Sequence, residues 1–473
     1  MEREVYRLII SRLKGDRLKE RTYREEIELE AKKGIGGFVV FGGQRQTLKG
    51  FIRHLKEVYG GEIIFAADVE RGLSSILKGG SYFPRQMAVC AAWKGLIDRD
   101  VLIRGLKRMA AEVRECGIDM ALIPVLDVNR EGKNPIIGTR AFSDDPMAVA
   151  ELGSIYIDVL QGEGLFCCAK HFPGHGLTVI DSHKALPVVE KSDVFEKDLW
   201  PFKRAIERGV SSIMAGHISF PFLDREPASL SRIVIGKILR ERMGFEGVVL
   251  TDALTMGALD GQRDICVRAL LAGNDVLLLP RDPHRCSRRI LRALDEGVLQ
   301  EKEIMEKVER LKRLWKGRKN GKGRRRVIRG DPVRELTEGS LTLIKGSVGP
   351  FSLSEYSVFL CGIEAMCRTS LLKRLFKEWK GERKVIVAIF TEHSSTSEQT
   401  DLEEETLRRL RELIRGSDHA IVVSFGNPYV LSHLEEAHVL IAAYDSHELV
   451  QDALVRALKG EIGFSGRLPI SLN

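Results

Sequence analysis

The 473-residue sequence has no apolar run of the roughly 18 residues that a membrane-spanning helix requires. No membrane partner is expected. No secretory leader is expected either. The start, Met1-Glu2-Arg3-Glu4, mixes acid with base, and Leu8-Ile9-Ile10 falls short of the about 7–15 apolar residues of a signal core. The expectation is a cytoplasmic protein. No Cys-x-x-Cys pair occurs among the eight cysteines. Several, such as Cys167, Cys168 and Cys361, lie in apolar stretches. They read as reduced core thiols, not as a disulfide framework or a structural zinc site. Neither His-Glu-x-x-His nor the spacing of a two-histidine, one-carboxylate triad is evident. No metal and no cofactor is expected.

What is present fits a globular protein: 44% of residues are hydrophobic and 30% charged. The length exceeds one ordinary core, so two domains are expected. The net charge is +8, and the stretch Lys316 to Arg329 holds eight basic residues and no acid. The rest of the chain is therefore neutral. Basicity confined to one glycine-rich stretch reads as a solvated linker, not as a nucleic-acid-binding surface.

Before that linker, short apolar runs alternate with helical patterns. Candidate strands are Tyr6–Ile10, Gly37–Phe41, Glu62–Ala67, Met120–Val125, Leu165–Ala169, Ser211–Ala215, Val248–Thr251 and Asp275–Leu279. Eight strands, each followed by a helix, predict a (β/α)8 TIM-like barrel. The runs are apolar without alternation, as suits parallel strands covered on both faces. The pattern resumes after the linker with Leu341–Ile344, Val358–Cys361, Val385–Phe390, Ala420–Ser424 and Val439–Ala443. This predicts a smaller α/β sandwich with a mostly parallel sheet. The expected division is a barrel over 1–315, a linker over 316–330 and the sandwich over 331–473.

Barrel chemistry sits at the C-terminal ends of strands. Polar residues gather at those ends: Asp68-Val69-Glu70-Arg71, Asp127-Val128-Asn129-Arg130, Lys170-His171, Gly216-His217 and Thr251-Asp252. Any one of them could be a satisfied polar group, and Asp252 alone could cap the next helix. Their convergence on one face is the functional signal. The loop Lys170–Pro187 holds three histidines, a lysine and an aspartate between glycines and prolines. Asp181 and His183 stand two apart. A carboxylate there can hydrogen-bond the imidazole and stabilise its cationic form, the state a general acid needs. A lone Asp-x-His can equally be a loop hydrogen bond.

These residues carry a resemblance. Lys170–Gly176 (KHFPGHG) followed by Asp181–Pro187 (DSHKALP) resembles the signature of bacterial β-N-acetylglucosaminidases of glycoside hydrolase family 3. The likeness extends through Gly138–Phe142, Met214–Ile218, Pro227–Ser231, Gly244–Ala258 and Val423–Leu431. It implies retaining hydrolysis of terminal β-linked N-acetylglucosamine by a barrel followed by an α/β sandwich. It further implies Asp252 as nucleophile, His183 as acid/base and Asp181 as its partner. Asp68, Arg140, Lys170 and His171 match sugar-binding positions, and His217 is carried as a pocket residue. The implied substrate is an amino-sugar oligosaccharide or muropeptide. One departure stands out: the family's Asp-x-Glu-Gly-Gly-Arg-Val-x-Arg reads Asp68-Val69-Glu70-Arg71-Gly72-Leu73-Ser74-Ser75-Ile76 here. Ile76 replaces the last arginine, so either Arg71 compensates or this subsite differs. A β-N-acetylglucosaminide phosphorylase or a β-glucosidase is the alternative enzyme. A sugar-binding scaffold without turnover is the alternative of another class. The sequence states no oligomeric state, and the Gly426-Asn427-Pro428 turn receives no chemistry.

Overall fold

Runs of Val, Ile, Phe and Ala form eight parallel strands. The computed structural model describes residues 1–60, 62–192, 195–317, 330–362, 370–391 and 402–472. The basic segment 318–329 and Cys367 lie outside them. The strands are Ile9–Lys14 (β1), Gly37–Phe41 (β2), Ile64–Ala67 (β3), Met120–Ala121 (β4), Phe166–Phe172 (β5), Ser212–Ala215 (β6), Val248–Thr251 (β7) and Leu277–Leu278 (β8). They pair in sequence order from β1 to β7, and β8 pairs with β1. A parallel bridge between Leu250 and Val276 joins β7 to β8. The TIM-like barrel is therefore as expected, with side chains buried along β3, β6 and β7.

The first strand differs from the expected Tyr6–Ile10. Residues Glu2–Arg7 form a helix that buries Val5 and Tyr6, and the strand starts at Ile9. Its second half exposes Arg12 and Lys14, so it lacks the unbroken apolar run that marks the other strands. β5 is also longer than expected, and takes in Lys170 and His171.

Buried ion pairs tie strands together at their N-terminal ends. Asp119, just before β4, accepts from the Lys56 ammonium at 2.8 Å and from the Phe65 N–H in β3. Asp275, just before β8, is fully buried. It accepts from Arg240 at 2.6 Å, Arg310 at 2.9 Å and the Val249 N–H in β7 at 2.8 Å. Removing one partner of a buried pair strands the other charges and costs about 3–5 kcal/mol. Asp275→Ala is expected to lower the barrel's urea and thermal unfolding midpoints accordingly, checked by circular dichroism on the full chain.

The chain divides into two compact units. The first contains Met1–Phe83, Leu106–Asp127 and Ala150–Val327, and all eight barrel strands fall in it. The second contains Pro84–Gly105, Val128–Val149 and Ile328–Asn473. Its sheet has the strands Thr342–Lys345 (β9), Ser357–Gly362 (β10), Lys377–Glu378 (β11), Lys384–Phe390 (β12), His419–Ser424 (β13) and Val439–Ala442 (β14). Their order is β9-β14-β13-β12-β10-β11. All pairings are parallel except β9 with β14. The helix Gln86–Lys94, which precedes β4 in sequence, belongs to this unit. Its Met87, Ala88 and Ala91 share one core with Val385, Val387, Val422 and Tyr444. Among the described residues no helix is long and apolar enough to cross a membrane.

Candidate active site

Parallel barrel strands all end on the same face, and β3 to β7 carry polar residues at or beyond those ends. Lys170 lies inside β5, yet it is 2% exposed. Two carboxylates meet its ammonium there: Asp68 Oδ1, just past β3, lies 2.6 Å away and Glu70 Oε1 lies 2.8 Å away. His171 is buried beside it. Its Nδ1 donates to Asp127 Oδ2 at 2.7 Å. Asp127 is wholly buried and also accepts from the backbone N–H groups of His171 and His175. Burial pushes the Asp127 carboxyl up, but His171 and His175 pull it below the usual carboxylate range. The Lys170–His171 peptide bond is cis.

Asp252 follows β7 directly. No helix starts there: its Oδ1 accepts from the Ala253 N–H at 2.7 Å, and the next helical turn is Gly257–Leu259. The capping alternative is thereby removed. Burial raises the Asp252 carboxyl, while the His171 imidazole, the Ala253 N–H and the Lys170 ammonium lower it. The lowering wins, so Asp252 is a carboxylate with some solvent access. His217 follows β6 and is fully buried. Its Nε2 donates to the Ala253 carbonyl at 3.1 Å, so its Nδ1 accepts from the Ser229 hydroxyl at 2.6 Å. Burial lowers its pKa and keeps it neutral. With both nitrogens engaged by protein, His217 braces the residue next to Asp252.

The Asp181–His183 pair is formed. Asp181 Oδ1 accepts from the His183 Nδ1–H and from its backbone N–H, each at 2.8 Å. The His183 side chain is 34% exposed, so its other nitrogen can reach solvent or substrate. The strand-seven loop holds this segment. Ala258 N–H donates to Ser182 O at 3.0 Å, and Gly257 N–H to His183 O at 3.1 Å. A Cβ on Gly257 would lie 2.5 Å from the His183 carbonyl and 2.8 Å from that of Lys184, so glycine permits this approach.

Asp68, Lys170, His171, Asp181, His183, His217 and Asp252 thus all belong to the barrel unit. Arg140 belongs to the second unit, where it is buried and its guanidinium donates to the Ile136 carbonyl at 3.2 Å. Ile76 is partly exposed, and the Arg71 guanidinium lies 6.0 Å from the centre of the Tyr82 ring. Sequence reasoning passed over Glu70, Asp127, His175 and Ser182 as site residues. Glu70 and Asp127 were visible as acids at strand ends. His175 and Ser182 stood in the histidine loop without a sign of their partners.

The chain has relatives among known proteins. Residues 2–314 match the profile of the glycosyl hydrolase family 3 N terminal domain. A β-hexosaminidase of Chromobacterium violaceum is 34% identical over 265 residues, which is 53% of this chain and 72% of that protein. A β-N-acetylglucosaminidase/β-glucosidase of Cellulomonas fimi is 26% identical over 86% of this chain and 83% of its own length. A solved family 3 β-N-acetylglucosaminidase from Paenibacillus sp. FPU-7 is 24% identical, with a TM-score of 0.83. The match covers 100% of this chain and 99% of that one. A β-glucoside phosphorylase, BglX, superposes with a TM-score of 0.87 at 20% identity, covering 100% and 94% of the two chains. The profile match takes in all eight barrel strands, with Asp252 and the loop that carries the Asp181–His183 pair, and the chain is a glycoside hydrolase that belongs to glycosyl hydrolase family 3.

Proposed function

We propose that this protein is a retaining exo-β-N-acetylhexosaminidase. Asp252 attacks the anomeric carbon of a terminal β-linked N-acetylglucosamine and forms a covalent glycosyl-enzyme. His183, as imidazolium, gives its proton to the departing glycosidic oxygen. It then takes a proton from the water that releases the sugar, and Asp252 is regenerated. Asp181 orients the imidazole and stabilises its charge. Asp68, Lys170, His171 and Arg140 are assigned to the sugar hydroxyls, and the natural substrate to amino-sugar oligosaccharides such as muropeptides in the cytoplasm. The catalytic domain is assigned to residues 1–315.

The observation that carries this reading is the hold of Asp181 on His183: one carboxylate oxygen accepts from both the ring Nδ1–H and the backbone N–H, each at 2.8 Å. It supplies an oriented proton donor for the departing glycosidic oxygen. Purified protein is expected to release 4-nitrophenol from 4-nitrophenyl β-N-acetylglucosaminide. Absence of release there, with release from the glucoside, overturns the sugar assignment.

Phosphorolysis is the second reading, for a specific reason. Once His183 has given up its proton it is uncharged, so it adds no negative charge against an incoming phosphate. A carboxylate acid/base would. Turnover in phosphate and in phosphate-free buffer separates the two readings: free sugar in both means hydrolysis, and sugar 1-phosphate in phosphate means phosphorolysis.

A further inference from the structure

His175 has no place in the mechanism above, yet it is 1% exposed and fully engaged. Its contacts fix its tautomer. The Thr178 hydroxyl gives its one proton to the His175 carbonyl at 3.0 Å. Thr178 Oγ1 must therefore accept from His175 Nδ1–H, 2.6 Å away. That leaves a lone pair on Nε2. The Ser182 hydroxyl, at 3.2 Å, donates to it. Burial holds the ring at a pKa of about 4, so it is neutral.

Ser182 stands between Asp181 and His183. The backbone N–H of His175 donates to Asp127 Oδ1 at 2.6 Å. The other oxygen of the same carboxylate holds His171. One unbroken chain of contacts therefore runs from His171, a sugar-binding candidate, through Asp127 and His175 to Ser182. From the other side, Gly257 and Ala258 hold the carbonyls of His183 and Ser182. The short Asp-Ser-His segment is thus referenced to both halves of the site.

We propose that His175 is a positioning residue for the acid/base. By gripping Ser182 it sets where His183 stands relative to the bond being broken. The proposal rests on the reading of His183 as the acid/base. A shift of about 1 Å at a reacting group can cost about 100-fold, so the grip has kinetic weight although His175 touches no substrate.

The test exploits the leaving group. The ratio kcat/KM reports formation of the glycosyl-enzyme, and a phenol that leaves readily needs no proton. The probes are the 4-methoxyphenyl and 2,4-dinitrophenyl β-N-acetylglucosaminides, or the glucosides if the wild type prefers them. Ser182→Ala is expected to lower kcat/KM about tenfold on the poor leaving group and less than about twofold on the good one. His175→Gln should show the same skew at about 100-fold. Ser182→Thr, which keeps the hydroxyl, should restore most of the loss. A merely structural role would lower both substrates alike. Equal losses, or no loss in Ser182→Ala, overturn the proposal. His183→Ala serves as the reference. If it lacks the skew, the acid/base reading falls and takes this proposal with it. If it shows the skew and the His175 and Ser182 variants do not, the positioning role alone is wrong.

Discussion

Asp252→Ala is expected to lower kcat by at least about 10⁴-fold, the scale of losing a nucleophile that acts as a unit with its partners. The carboxylate follows β7 and stays ionised because its surroundings outweigh its burial. No neighbouring carboxylate replaces it among its described contacts, since Asp68 is committed to Lys170 and Asp127 to His171. The variant should fold, because Thr251 and the backbone bonds of Asp252 and Leu254 that anchor this end of β7 do not involve the carboxylate. Azide makes the assignment decisive. In the alanine variant it can enter the space of the carboxylate and displace the leaving group once, giving an α-glycosyl azide from a β-glycoside. Activity that survives in Asp252→Ala, or azide product of β configuration, would falsify the nucleophile assignment.

His183→Ala carries the second large effect. General acid catalysis contributes about 10²–10⁴-fold, and that loss should fall on 4-methoxyphenyl and sugar aglycones. The 2,4-dinitrophenyl glycoside should form the glycosyl-enzyme almost as fast as with the wild type. That intermediate would then persist, since no base activates water. Azide needs no base, so it should speed turnover and give the β-glycosyl azide by two displacements. The opposite stereochemical outcomes in the two variants separate the roles by product alone. If His183→Ala loses both substrates equally, the imidazole is not the proton donor.

The barrel was legible because its strands are nearly pure apolar runs. β1 shows the limit of that signal. Arg12 and Lys14 interrupt its second half, so the apolar run Leu8-Ile9-Ile10 drew the expected strand backward into what is a helix. The length of β5 was hidden for a related reason. Lys170 and His171 look like loop residues, and only Asp68, Glu70 and Asp127, distant in sequence, make them acceptable in a buried strand. The place of Gln86–Lys94 in the second unit was not legible either. An apolar helix announces that it will be covered, not by which sheet.

The site followed the same division. Its acids and imidazoles could be read from their places after strands. Their pairings could not, because a hydrogen-bond partner is chosen by the fold. Thus the neighbours Asp181 and His183 were paired from sequence, while Asp127 with His171 and His175 with Ser182 were not. His217 shows the converse: it was expected at the pocket, but both its nitrogens serve the protein.

The hold of Asp181 on His183 has a consequence for how such a donor can be moved. Both bonds that orient the imidazole end on one oxygen two residues away. Tautomer and tilt are therefore written into a tripeptide, and only its location is delegated to the rest of the protein. A proton donor of that kind is modular. Grafted into the loop after the fifth strand of another barrel, it would need an imidazole to grip its serine, two backbone donors and a glycine to dock it.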